Sequence, residues 1–390
     1  MAAYKNAPDY EGSFPLIIYH PNLRASYCEN AILCEYLASY GFVVATAHSL
    51  GLNSINPEED AGSLETQIRD KEFIVLVLRD QAFIDISKVG VVGYSQGGLA
   101  ALMMQMRNSD VAAVASLNGW FIIGDRLEFV RQCPFISPIR MSVPLLQICT
   151  QEIEPYNFSF FDSLKYSDRY SLMFKGLSGT DFTHYTMFSI IPQDSASMPT
   201  DQKKQGYEII CRYIKNFFDA QLNDKKEALS FIDNLPQDNK IDPDFLVVKK
   251  FTKNELPPRG EQFLSIVIEQ EADKARGIYD KFKKLDPGLT LFREATFNVI
   301  GYRLLFTGRV NDAIKIFDMN ADAYPHSANT WDSLAEAHMS NGDNELAIKY
   351  YRKALEILAS DTITSEELKE AIRNGAQQNI ERLGGDNSEN

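Results

Sequence analysis

From Phe14 to about Phe218, short apolar runs alternate with longer stretches whose apolar residues recur at helical spacing. The runs Leu16–Tyr19, Val43–Ala47, Val89–Gly93, Val111–Leu117, Leu145–Cys149 and Leu172–Phe174 predict parallel strands, because a strand covered on both faces is continuously apolar rather than alternating. Glu29–Ser39, Leu64–Leu78, Gly98–Met106 and about Lys204–Phe218 predict the crossover helices. Strands alternating with helices in this way define an α/β architecture with a mainly parallel sheet flanked by helices. Two stretches fit neither period: Trp120–Met141, and Tyr156–Tyr170 with Phe158, Phe160 and Phe161. Irregular segments of that length in a compact domain form lids or pocket walls.

Beyond Asn223 the chain becomes charged and helix-favouring, with a break at Leu256–Pro257–Pro258–Arg259–Gly260. Gly308 then recurs as Gly342, Ala313 as Ala347, Ile314 as Ile348 and Phe317 as Tyr351, each 34 positions apart. That is the period of a tetratricopeptide helix–turn–helix unit, and it predicts units at about 294–327 and 328–361. Trp331 and Leu334 supply early apolar positions of the second unit; Gly301, Leu304 and Pro325 belong to the first. Small residues at Gly301/Ala335 and Ala313/Ala347 permit close helix packing. A weaker helical pair at about 261–287, ending Leu285–Asp286–Pro287, precedes them. The expected organisation is therefore an α/β domain over 1–222, a linker with helical segments over 223–260, and all-α repeats over 261–390. So short an array either recruits a protein partner or docks within its own chain.

A length of 390 residues with 45% hydrophobic and 24% charged residues supports two domains. The formal charge of -14 excludes nucleic acid as the natural partner and disfavours an anionic membrane surface. Cys28, Cys34, Cys133, Cys149 and Cys211 form no CxxC pair and no zinc-like spacing with histidine, so they are expected to be buried free thiols, with no metal and no cofactor. No apolar run reaches the ~18 residues of a membrane span, and Met1–Tyr10 lacks the features of a signal peptide. As it stands the sequence predicts a cytoplasmic protein. The strand at Pro15–Tyr19 has almost nothing before it; were a leader missing from this start, rather than first strands, an exported protein, periplasmic or secreted, is the alternative.

Gly93–Tyr94–Ser95–Gln96–Gly97 fits the GxSxG nucleophile elbow and has the required context, strand Val89–Val92 before it and helix Gly98–Met106 after it. A serine forced into such a turn has its hydroxyl exposed, and the following helix N-terminus favours developing negative charge. One oxyanion donor is then the amide of Gln96. The second is expected in the loop His20–Pro21–Asn22–Leu23–Arg24, where Pro21 has no N–H and Asn22 becomes the candidate; His20 reads as a structural residue of that loop. Of five histidines, His326 and His338 fall in the repeats while His20 and His48 precede Ser95. His184, following the last strand run, is left as the general base. The acid has two stations. After Val111–Leu117 stands Asn118, which can orient an imidazole but cannot offset its charge. After Leu145–Cys149 stands Glu152, the first choice, with Glu154 behind it.

Together, Phe14–His20, Leu37–Val44, Gly93–Gly98 and the Phe182–His184 loop resemble α/β-hydrolases related to dienelactone hydrolase and the platelet-activating-factor acetylhydrolases, over about residues 14–220. The resemblance implies cofactor-independent hydrolysis of a small-molecule ester or other activated acyl substrate. Members often carry aspartate where this chain has Asn118, and a His-Gly turn where it has His20–Pro21. The segments Asn311–Ile314 and Trp331–Ala337 resemble helical tails found on various bacterial serine hydrolases, which implies export. Two other readings remain open: a catalytically impaired binding module acting through its repeats, and a peptidase or acyltransferase on the same framework.

Overall fold

A computed structural model describes residues 11–48, 59–133, 136–151, 156–188, 200–258, 260–270, 272–285, 291–362 and 364–384. The chain divides into two compact units, Met1–Glu255 and Leu256–Asn390.

The first unit is built on a sheet whose strands run β1 (Phe14–His20), β2 (Val43–Ala45), β3 (Ile84–Tyr94), β4 (Val111–Leu117), β5 (Leu145–Thr150), β6 (Arg169–Phe174) and β7 (Leu246–Phe251) along the chain. Their order in space is β2-β1-β3-β4-β5-β6-β7. All neighbouring pairs are parallel except β6 with β7, which is antiparallel. The helices are α1 (Ala31–Ser39), α2 (Ala61–Leu78), α3 (Gln96–Arg107), the short α4 (Leu127–Gln132) and α5 (Ser159–Ser163), then α6 (Thr200–Leu222) and α7 (Lys226–Asp233). Successive residues of β1 serve opposite faces of the sheet. Ile17 and Tyr19 pack with Leu33, Leu37, Tyr213 and Phe217 of α1 and α6; Leu16 and Ile18 pack with Leu64, Ile68, Leu99 and Met103 of α2 and α3. Burial on both faces is why the strand sequences are apolar without alternation.

The stretch 223–260, expected to be a linker with helical segments, carries helix α7 as well as the edge strand β7, which pairs with β6 and belongs to this unit. Ala228, Ile232, Ile241 and Leu246 are buried in the α6-side core. The run Leu246–Val247–Val248–Lys249–Lys250–Phe251 is too short and too basic at its end to stand out as a core strand, and such lysines are characteristic of sheet edges. The cysteines also divide: Cys133, Cys149 and Cys211 are buried, Cys34 is partly buried and Cys28 is exposed. Exposure of Cys28 departs from the expectation of five buried thiols; it lies in the loop between β1 and α1.

The second unit contains α8 (Gly260–Gln270), α9 (Ala272–Leu285), α10 (Glu294–Phe306), α11 (Val310–Ala323), α12 (Ala328–Asn341), α13 (Asn344–Leu358) and α14 (Glu366–Arg382). Gly308 and Gly342 recur because each follows the first helix of a pair with φ of 79° and 83°, the left-handed conformation that ends a helix most cheaply at glycine. Ala313, Ala335 and Ala347 are fully buried, and a Cβ at Gly301 would run into the Phe317 ring. No helix among the described residues is long and apolar enough to cross a membrane.

Candidate active site

Ser95 sits between β3 and α3 with φ 55° and ψ -117°, a backbone conformation that non-glycine residues rarely adopt. Two anchors hold it there: the Ser95 amide donates to the Leu117 carbonyl at 2.8 Å, and the Ser95 carbonyl accepts from the Trp120 amide at 3.2 Å. The flanking glycines leave room for that turn. A Cβ on Gly93 would collide with the backbone of Gly97, and one on Gly97 with the carbonyls of His20 and Pro21. Tight approach of three backbone segments thus fixes the residue that opens α3, and the side chain projects with its Oγ accepting a hydrogen bond from Trp120 Nε1 at 3.1 Å.

The loop after β1 meets the same turn. The Gln96 amide donates to Asn22 Oδ1 at 3.3 Å, while the Asn22 amide donates to Glu29 Oε2 at 2.9 Å. Both amides expected to hold an oxyanion are therefore engaged within the chain, and the carboxamide oxygen of Asn22 occupies the Gln96 amide. Glu29 was not among the residues singled out from the sequence. It is buried, also accepts from the Tyr19 hydroxyl at 3.1 Å, and burial pushes its carboxyl up to about 7 against the lowering effect of those two hydrogen bonds. His20 is wholly buried, with Nε2 3.4 Å from Met104 Sδ and Nδ1 without a partner. Burial first, and the Lys71 ammonium second, hold it well below the usual histidine range, so it is a neutral packing residue.

His184 follows a short turn whose Tyr94 and Asn30 contacts tie it to the rest of the site. Tyr94 Oη donates to the Gly179 carbonyl at 2.9 Å, and Asn30 Nδ2 donates to the Phe182 carbonyl at 3.1 Å while its Oδ1 accepts from Tyr207 at 2.6 Å. Buried Asp181 completes the brace, accepting from the Ser178 amide at 2.8 Å and from Thr186 Oγ1 at 3.1 Å, with Lys203 Nζ 3.3 Å away. His184 Nδ1 accepts at 3.0 Å from the Ala31 amide, the first N–H of α1, which also donates to the Cys28 carbonyl at 3.1 Å. A helix N-terminus disfavours an imidazolium. The ring titrates below 6.5, chiefly through partial burial, with the Glu35 carboxylate pulling the other way. An acceptor Nδ1 puts the proton of the neutral ring on Nε2. Among the described residues no hydrogen bond joins His184 to Ser95.

The two stations for the acid differ. Asn118, with φ 50°, follows β4 and accepts at Oδ1 from Tyr156 Oη at 2.7 Å; Tyr156 also lies 2.9 Å from Thr150 Oγ1 at the end of β5. Its carboxamide ties two strand ends together. Glu152 and Glu154 lie outside the described residues. No group of His, Cys, Asp and Glu suited to holding a metal occurs among the described residues.

No family model matches the chain, and no curated protein does. Among solved structures, a ferulic acid esterase from Streptomyces cinnamoneus is 18% identical and aligns over 63% of this chain and 76% of its own, with a TM-score of 0.49. The sheet order and the strand–turn–helix at Ser95 give the first unit an α/β-hydrolase-like fold, followed by a helical unit.

Proposed function

We propose that the first unit is a serine hydrolase of esters or other activated acyl bonds, within the α/β-hydrolases that include dienelactone hydrolase and the acetylhydrolases. The observation that carries this reading is the left-handed backbone of Ser95 at the mouth of α3. A strained residue held between three backbone segments has a cost that packing alone does not explain, and at this turn it exposes a nucleophile. In the mechanism, Ser95 Oγ attacks the acyl carbon as His184 takes its proton. The substrate's carbonyl oxygen displaces Asn22 Oδ1 from the Gln96 amide, which then faces the developing oxyanion. Release of the Asn22 amide from Glu29 would supply the second donor. His184 must turn from Ala31 so that its acceptor nitrogen faces Ser95, and Glu152 is the first choice for the carboxylate that steadies the turned ring, ahead of Asn118 and Glu154. The adduct collapses, the bond to the alcohol or other leaving group breaks, and that group departs with the proton from His184; water then attacks the acyl-enzyme by the same route in reverse.

The occupied amides and the Asn118 carboxamide favour a second reading, in which the hydrolase site is inactive and the helical unit binds a partner. Labelling with a fluorophosphonate, followed by turnover of short and long p-nitrophenyl esters, separates the two. Labelled wild type, unlabelled Ser95→Ala, and turnover lost in both Ser95→Ala and His184→Ala support the hydrolase. A folded wild type that neither labels nor turns over removes it and leaves the binding module.

A further inference from the structure

The Trp120 indole is the one side-chain group that donates to Ser95 Oγ among the described residues, and nothing in the mechanism above uses it. It is also firmly held. The Trp120 amide bonds the Ser95 carbonyl, the Phe129 ring lies edge-on at 5.7 Å and 80°, and the Arg126 guanidinium stacks 4.4 Å from the ring centroid. Arg126 is in turn paired with Glu59 at 2.6 Å. Only 6% of Trp120 is exposed. A tryptophan kept only for its bulk needs no particular aim for its N–H, whereas this one points at the single oxygen on which the reaction turns.

Resting on the hydrolase reading, we infer that Trp120 is a catalytic residue of deacylation, donating its N–H to Ser95 Oγ as that oxygen leaves the acyl group. In that step water adds to the acyl carbon and gives a proton to His184. The carbon–Oγ bond then breaks, its electron pair passes to Oγ, and the proton on His184 follows, leaving the free acid and the serine hydroxyl. Charge gathers on Oγ as the bond breaks. The oxygen of an ester accepts a hydrogen bond weakly and an alkoxide accepts it strongly, so the indole stabilises the departing oxygen more than the acyl-enzyme. During acylation the starting group is a hydroxyl, already a good acceptor, and the differential is smaller. The guanidinium over the ring face draws electron density from the indole and strengthens its N–H as a donor.

The test is Trp120→Phe, which keeps an aromatic ring and removes the donor, in the full chain, with fold checked by circular dichroism. Expected are a fall in kcat on p-nitrophenyl esters of roughly tenfold to a hundredfold, a pre-steady-state burst larger than that of wild type, and a rate of fluorophosphonate labelling within about threefold of wild type. Arg126→Met, which leaves the indole in place, should shift kcat and the burst in the same direction by a smaller factor. A merely structural role would lower labelling and turnover together, without a burst. That result, or wild-type kcat and burst in Trp120→Phe, overturns the inference. Where Trp120→Phe does not fold, unchanged kcat and burst in Arg126→Met overturns it. If wild type itself is not labelled, the hydrolase reading has failed instead.

Discussion

Glu29 shows how one buried side chain sets conditions for a whole loop. Its carboxylate holds the Asn22 amide and the Tyr19 hydroxyl, but burial pushes its carboxyl up to about 7 from an ordinary value of 4.5. Between those two values the folded chain keeps a proton that the unfolded chain has lost, so stability falls as pH rises through this window and is lowest above it. Glu29→Gln retains a carbonyl oxygen for both donors and cannot ionise. Denaturant titration is expected to find the variant equal to wild type near pH 4.5 and more stable at pH 8, by up to ~3 kcal/mol. An equal displacement at both pH values would assign the effect to packing. The neighbouring Asn22 shows what the sequence alone leaves out of this corner: Pro21 has no N–H and the next amide becomes the candidate, but which acceptor a loop amide finds depends on a residue seven positions later.

At the level of elements, α1 and the His184 turn are joined through Asn30. Its carboxamide accepts from Tyr207 of α6 and donates to the Phe182 carbonyl, so three segments distant in sequence share one side chain with no exposure. Asn30→Ala leaves the Phe182 carbonyl without its donor and the Tyr207 O–H without this acceptor, and should cost ~2–4 kcal/mol in stability. It should also slow fluorophosphonate labelling, because the turn before His184 loses the Asn30 bond to its Phe182 carbonyl. Loss of stability with an unchanged labelling rate would show that the turn is held by Tyr94 and Asp181 without Asn30. Such braces are not legible in a single sequence. Strand runs and helical periods are, because both faces of the sheet bury side chains and leave a local pattern; the elbow is, because strand, strained turn and helix are contiguous. Trp120, Glu29, Asn30 and Tyr156 act through contacts 25, 7, 152 and 38 positions away, and no periodicity records those.

Across the whole molecule, the extent of the first unit depends on its seventh strand. β6 pairs with β7 along its full length, Arg169 opposite Phe251 through Phe174 opposite Leu246. α7 is anchored where Asp219, fully buried at the end of α6, meets Lys215 and Lys225, each at 2.8 Å. A chain ended after Leu222, near the boundary that composition suggests, loses β7 and α7 together. It would expose the β6 edge, leave Tyr170 and Leu172 uncovered, and remove Lys225 from a buried carboxylate. An open apolar edge is a template for intermolecular pairing, so this shorter chain is expected to aggregate. A chain ended after Glu255 keeps the complete sheet and should elute without aggregation, with the labelling rate of the full-length protein. Size-exclusion chromatography and fluorophosphonate labelling of the two truncations decide the matter. Should the 255-residue chain aggregate or label at a reduced rate, the first unit would need residues beyond Glu255 for its stability.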